Sequence, residues 1–144
     1  MKIFKIRIIF GILLFIIGFV FDFSFLAPHI SNTFKSDPLV YLNSFERYML
    51  DLIKFYMIVL GILNIVLSSL DLYFNSASKL DWTILVLMMI GSIILIAAGF
   101  WYANAGPSFK WELRCTVLSI GLFTILLSLS LEIYRLLFLK MKRS

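Results

Sequence analysis

Asp22 is the residue of this sequence that most plainly needs a chemical partner, because it lies inside a long apolar segment near the N-terminus. Its carboxylate is about five residues from the C-terminal end of that segment, a depth of roughly 7–8 Å at 1.5 Å per helical residue. An unpaired charge at that depth is costly in an apolar environment, so Asp22 must be protonated, hydrated or paired. Lys54 and Arg114 are the expected partners, because each enters a later apolar segment from the same side. We therefore predict an ion pair between Asp22 and one of these two residues.

Other charged and aromatic residues are expected at the same level as this pair, and together they form what we call the outer polar cluster. Its members are Asp22, Lys54, Arg114, Glu46, Glu112 and Trp111. Two interpretations stay open: a pocket for a lipid headgroup or substrate, or a structural ion pair within the usual belt of aromatic and charged residues at a membrane surface. We favour the structural interpretation. His29, the only histidine, is expected to lie solvated in a loop.

The catalytic motifs that a short sequence can reveal are missing from this one. It has no P-loop, no GxSxG or HExxH motif, no CxxC pair and no Gly-rich dinucleotide turn. Cys115, the single cysteine, follows Arg114 in an apolar segment, and burial there favours an inert thiol. We therefore predict no catalytic residue, no metal ligand and no cofactor, and we favour a protein without enzymatic activity. No basic patch interleaved with aromatic residues suggests a nucleic-acid partner.

The composition identifies the environment of these residues. Of the 144 residues, 62% are hydrophobic and 15% are charged, whereas a soluble domain has about 45–50% apolar and about 25% charged residues. A soluble fold of this size cannot bury so much apolar surface in one core. The excess must face lipid, and because four strands cannot close a barrel, the segments that cross the bilayer must be helices.

Four segments are long and apolar enough to cross a bilayer core, which takes about 20 helical residues. They lie near residues 8–27, 50–73, 82–104 and 112–138, with an extramembrane segment at 28–49. We expect Pro28 to end the first helix and residues 39–50 to form an amphipathic lid helix at the membrane surface. The predicted fold class is an all-α integral membrane protein, a four-transmembrane-helix up-down bundle that forms a single membrane domain over residues 1–144.

The basic residues predict the orientation, because they are enriched on the cytoplasmic side of membrane proteins. Eight are expected on the side of the two termini, namely Lys2, Lys5, Arg7, Lys79, Arg135, Lys140, Lys142 and Arg143. Five are expected on the other side, namely Lys35, Arg47, Lys54, Lys110 and Arg114. We therefore predict two cytoplasmic termini in a plasma or inner membrane, with the N-terminal segment as an uncleaved signal anchor.

Small residues recur at a spacing that predicts close helix packing. Each span carries two of them seven positions apart: Gly11 and Gly18, Gly61 and Ser68, Gly91 and Ala98, Gly121 and Ser128. Seven residues are two helical turns, so each pair lies on one helix face and lets a neighbouring helix approach. The second and fourth spans also align without gaps at an offset of 60, which suggests either a duplicated helical hairpin or a chance match of two apolar helices.

Polar residues deeper in the spans and at their other ends have simple structural explanations. Asp71 ends the second span, and Glu132 and Arg135, three positions apart, can pair along one helix. Asn64 and Thr124 lie in the middle of the membrane, and we expect each to form a hydrogen bond between helices.

The leading hypothesis for function is a small non-enzymatic polytopic membrane protein that acts through helix and loop contacts. Such a protein would be an accessory subunit, an assembly factor or an immunity-type protein. Its expected partners are the lipid bilayer and either another membrane protein or further copies of itself. Two alternatives from other classes remain: a small oligomeric transporter or channel, and a lipid-binding or lipid-modifying protein with its polar pocket in the outer leaflet.

Overall fold

The structure, a computed structural model, describes residues 2–33, 40, 44–74, 79–107 and 110–141, and within these residues every regular element is a helix. The first helix, α1 (Lys2–Phe21), continues through a π-helical turn (Asp22–Leu26) into the short α2 (Ala27–Thr33). The other helices are α3 (Phe45–Phe74), α4 (Lys79–Ala105) and α5 (Leu113–Met141). Four helical stretches are long and apolar enough to span a membrane: Ile3–Asn32, Phe45–Leu72, Lys79–Ala105 and Leu113–Leu137. The chain is thus an all-α, multi-pass membrane protein, as the sequence predicts.

Pro28 does not end the first helix, contrary to the sequence-based expectation. A proline lacks an N–H group, and its ring clashes with the carbonyl group one turn earlier in an ordinary α-helix. Directly before Pro28 the chain forms the π-helical turn, in which the backbone N–H of Ala27 donates to the carbonyl oxygen of Asp22. This wider turn takes up the disturbance, so the helix continues to Thr33.

The predicted lid helix over residues 39–50 is only partly described by the structure. Its C-terminal part, residues 45–50, is the beginning of α3 rather than a separate surface helix. Residues 39 and 41–43 lie outside the described residues.

The helices pack as two hairpins. In one hairpin α1 packs against α3, in the other α4 packs against α5, and contacts between α3 and α4 join the two. We call the end where α1 begins and α5 ends the termini end of the bundle. A central apolar core consists of Leu14, Leu60, Leu67, Met88, Leu95 and Ile125. A second apolar core lies towards the opposite end and consists of Phe21, Met49, Leu50, Ile53, Met57 and Ala103.

The small residues lie where the helices approach most closely. All eight that the spacing singles out, from Gly11 to Ser128, are buried. A Cβ atom added to Gly61 would lie 2.8 Å from the carbonyl oxygen of Gly11, which is the crossing of α1 and α3. In the other hairpin, a Cβ atom added to Gly91 would lie 3.2 Å from the carbonyl oxygen of Gly121. The two hairpins therefore cross in the same way, glycine against glycine, whether or not a duplication produced them.

Candidate functional sites: an outer ion pair and a buried charge cluster

Asp22 is paired with Lys54 and not with Arg114. Asp22 is the first residue of the π-helical turn, and Lys54 lies on the adjoining part of α3. The Lys54 ammonium group donates to Asp22 Oδ2 over 2.7 Å. The side chains keep 30% of the lysine and 43% of the aspartate surface exposed, so this pair is half-buried. This is one of the two ion pairs that the charge pattern predicts. Its side chains are partly exposed rather than fully buried.

Arg114 takes part in a separate group at the connection between α4 and α5. Its Nε atom lies 2.8 Å from Glu112 Oε2, and its Nη1 donates to the carbonyl oxygen of Gly106 over 2.8 Å. Its guanidinium group also lies over the ring of Tyr102, at 5.0 Å from the ring centroid. These contacts hold the connecting loop against the end of α4.

The remaining members of the outer polar cluster also make local contacts. His29 Nε2 lies 2.6 Å from Glu46 Oε1, which ties α2 to the first turn of α3. The expectation of a solvated histidine in a loop is therefore wrong, because His29 belongs to a helix and stacks on Phe25. Trp111 is exposed and donates through its indole N–H to the hydroxyl group of Thr116. The cluster members thus meet in separate pairs along this end of the bundle.

Among the residues that the structure describes, the strongest concentration of buried charge lies at the termini end, where the sequence predicts no site. Five residues from four helices meet there: Arg7, Asp71, Asp81, Glu132 and Arg135. We call them the buried charge cluster. None of the five exposes more than 6% of its surface, and Arg7 exposes none. Charged residues are rarely buried this completely unless they are paired.

Arg135 is the centre of this cluster, because its guanidinium group contacts all three carboxylates. Its Nη1 donates to Asp71 Oδ1 over 2.6 Å and to Asp81 Oδ1 over 2.8 Å. Its Nη2 donates to Glu132 Oε1, the pairing along one helix that the spacing indicates. Arg135 therefore joins α5 to both α3 and α4. The planar fork of arginine donors suits such an arrangement better than a lysine would.

Arg7 approaches the same carboxylates from α1. Its Nη1 lies 2.8 Å from Asp71 Oδ2 and 3.9 Å from Glu132 Oε2. Each of these two carboxylates thus directs one oxygen towards Arg135 and the other towards Arg7. The ion pairs connect the two hairpins as well as the helices within them.

A sequence signal for this cluster exists in the stripes of small residues. On α3, Ser68 is followed after three positions by Asp71, and on α5, Ser128 is followed after four positions by Glu132. Residues three or four positions apart share a helix face. Extending the packing faces towards the termini would therefore have predicted that these charges point inwards. Arg7, four positions before Gly11, follows the same rule.

Hydrogen bonds in the middle of the bundle mostly stay within one helix. Asn64 donates to the carbonyl oxygen of Leu60, and Thr124 donates to that of Ile120, so the expected bonds between helices at these positions are wrong. The carbonyl group one turn earlier is the nearest acceptor for such a side chain. Ser128 instead donates to the carbonyl oxygen of Ile84 over 2.9 Å and links α5 to α4.

Few of these groups are arranged for reaction chemistry. No set of three or more His, Cys, Asp or Glu side chains suited to a metal ion occurs among the residues that the structure describes. The Cys115 Sγ atom lies 2.6 Å from the hydroxyl group of Tyr102, a contact that packs α5 against α4. The carboxylates of the buried charge cluster face guanidinium groups and not a nucleophile.

Comparison with known proteins found no matching family model, no matching curated protein and no matching solved structure. Function is therefore inferred from the packing of the helices and from the charged residues at the two ends of the bundle.

We expect the Asp22→Asn variant to be less stable than the wild type by about 1 kcal/mol, because half-exposed ion pairs contribute modestly. The measurement is thermal unfolding of the purified protein in detergent. The matched control is Asp51→Asn, since Asp51 pairs with Arg47 at 3.7 Å in a similarly exposed position but on one helix surface. The double change Asp22→Leu with Lys54→Leu should recover the loss. A double variant less stable than Asp22→Asn would mean that the pair is needed for more than charge compensation.

Proposed function

We propose that this protein is a small non-enzymatic membrane protein that acts through contacts of its helices and loops with a partner in the membrane. An accessory subunit, an assembly factor and an immunity-type protein all fit this description. The observation that carries the proposal is the apolar core between two levels of charge. One level is the outer polar cluster with the Asp22–Lys54 pair, and the other is the buried charge cluster at the termini end. Lys54 and Asp71 are 17 positions apart on α3, which is about 25 Å at 1.5 Å per residue. The central core of Leu14, Leu60 and Met88 lies between them.

This arrangement supports a contact function over transport. A transporter or channel needs a polar route from one side of the membrane to the other, with ionisable groups along it. Here the ionisable groups of each level contact one another. Apolar side chains separate the levels, and the buried polar side chains between them, Asn64, Ser68, Ser92 and Ser128, are not ionisable. The interior contacts therefore serve to hold the helices together, and the exposed helix surface is the part that can contact a partner. Phe19 on α1 and Phe123 on α5 are examples of this outward surface, with 66% and 67% of their area exposed.

The proposal includes an orientation and a partner. Both termini are cytoplasmic, in a plasma or inner membrane, because the basic residues are more numerous at the termini end. The partner is another membrane protein or a second copy of the chain, since the exposed surface of the spans is apolar and a soluble partner would not bind there.

Single-cysteine variants in a Cys115→Ser background test both the orientation and the contact with a partner. For orientation, a membrane-impermeant thiol reagent should label Ser36→Cys in intact cells and Ser144→Cys only after the cells are permeabilised. For contacts, a short thiol-reactive photo-crosslinker at Phe19→Cys and Phe123→Cys should yield a discrete crosslinked protein on at least one of the two faces. Leu14→Cys, a buried position on the same helix as Phe19, is the control and should yield none.

Two outcomes would instead favour the alternatives. Purified protein in liposomes that conducts ions or protons, with the flux lost in Asp71→Asn, would identify a transporter. Crosslinks to lipid alone at both outward positions, with bound lipid that is lost in Lys54→Leu, would identify a lipid-binding protein.

A further inference from the structure

The buried charge cluster contains one junction at which the hydrogen bonds are incomplete. Arg7 is fully buried, and its Nε, Nη1 and Nη2 atoms have no hydrogen-bond partner of good geometry. The facing oxygens, Asp71 Oδ2 and Glu132 Oε2, are likewise buried without one. A buried polar group without a hydrogen bond is costly in a membrane interior. Arg7 Nη1 and Asp71 Oδ2 are in contact at 2.8 Å but poorly aligned, and a polar occupant of the junction would complete the bonds of the atoms around it.

The distances indicate which occupant fits. Arg7 Nη1 and Glu132 Oε2 are 3.9 Å apart, which is too long for a direct hydrogen bond and is a separation that a bridging water can serve. A buried water needs two to four polar partners. The junction supplies donors from Arg7 and acceptors from Asp71 and Glu132. An anion would meet two carboxylates there, whereas water can both donate and accept.

The same geometry distinguishes the carboxylate of Asp71 from that of Glu132. Asp71 has a guanidinium nitrogen within 2.8 Å of each of its two oxygens. Glu132 contacts Arg135 through Oε1, whereas its Oε2 lies 3.9 Å from Arg7 Nη1. Arginine stays protonated in proteins, so any proton exchanged at this site belongs to a carboxylate. Of the oxygens of Asp71 and Glu132 that face Arg7, Glu132 Oε2 is the one farther from its guanidinium group.

We propose that the junction of Arg7, Asp71 and Glu132 binds internal water, and that Glu132 takes up and releases a proton through this water. In the uptake step a proton from solvent is passed on by the water to Glu132 Oε2, so the carboxylate becomes a neutral carboxylic acid and the water remains neutral. The charged groups that face Glu132 are Arg7 from α1, Asp71 from α3, Asp81 from α4 and Arg135 from its own helix.

Infrared spectroscopy of the purified protein in lipid tests this proposal without relying on a destabilising variant. A protonated carboxyl group has a C=O stretching band apart from that of carboxylates. We expect such a band to appear as the pH is lowered within the folded range and to shift rapidly in D2O. Labelling the wild-type protein with ¹³C-glutamate should move the band. The sequence contains three glutamates, Glu46, Glu112 and Glu132, so the label reduces the assignment to these positions.

Variants then assign the band to one residue. Because every glutamate carries a carboxyl group, the double variant Glu46→Gln with Glu112→Gln, in which Glu132 is the one glutamate left, should keep a band, and adding Glu132→Gln to it should remove that band. Where Glu132→Gln does not fold, persistence of the band in the double variant Glu46→Gln with Glu112→Gln gives the same assignment. The proposal is overturned by a folded protein without a glutamate band at any pH, by a band that the double variant loses, or by a Glu132 band that does not exchange in D2O, since the site would then be dry.

Discussion

Replacing Arg135 with leucine should destabilise the protein more than any other single change of a charged residue considered above. Arg135 donates hydrogen bonds to Asp71, Asp81 and Glu132, and all three carboxylates are buried. Removing one partner of a buried ion pair costs about 3–5 kcal/mol, because it leaves an uncompensated charge. Here three carboxylates lose a partner at once, against a total stability that is typically about 5–15 kcal/mol. We expect Arg135→Leu to be largely unfolded in detergents in which the wild type is folded.

The measurement is chemical or thermal unfolding in a mild detergent, followed by circular dichroism. The matched control is Arg47→Leu, because Arg47 pairs with Asp51 while both side chains are more than 40% exposed, and exposed pairs contribute about 0–1 kcal/mol. Arg135→Lys should fall between the two, since it keeps the charge and loses the fork of donors. Equal stability of Arg135→Leu and Arg47→Leu would mean that water, and not Arg135, solvates the carboxylates.

Replacing Gly61 with leucine should force α1 and α3 apart. A Cβ atom at this position would lie 2.7 Å from the backbone nitrogen of Phe15 and 2.8 Å from the carbonyl oxygen of Gly11. Both neighbours are backbone atoms, so neither can move without moving its helix. Overpacking of a core costs about 1–3 kcal/mol, and a whole leucine side chain at a backbone contact belongs at or above the upper end of that range.

The control for this change is Ala97→Leu, which adds the same side chain at an exposed position of α4. We expect the loss of stability to rank Gly61→Leu above Gly61→Ala, and Gly61→Ala above Ala97→Leu, in the same unfolding measurement. If Gly61→Leu were as stable as Ala97→Leu, the glycine contact of the first hairpin would not be needed for its stability.

The sequence by itself determined the number of spans and that Asp22 needs a basic partner, with Lys54 and Arg114 as the two candidates. Both follow from one physical rule, that a membrane interior accepts long apolar helices and rejects an isolated charge. The regular spacing of small residues likewise indicates which helix faces approach one another, because two turns of a helix return to the same side. The length of a span, its isolated charge and its packing face depend on one segment at a time, so they can be seen without knowing the partners of that segment.

Only the tertiary structure decided which charges at the termini end find partners on other helices. Arg7 near the end of a span is equally compatible with a side chain that reaches the membrane surface and with one that is buried. The choice depends on the rotation of α1, which its contact with α3 at Gly11 sets. The meeting of Arg7 with Asp71 and Glu132 then depends on the relative heights of three helices. The rotation and the height of a helix depend on the helices packed against it, so they cannot be read from the sequence of one span.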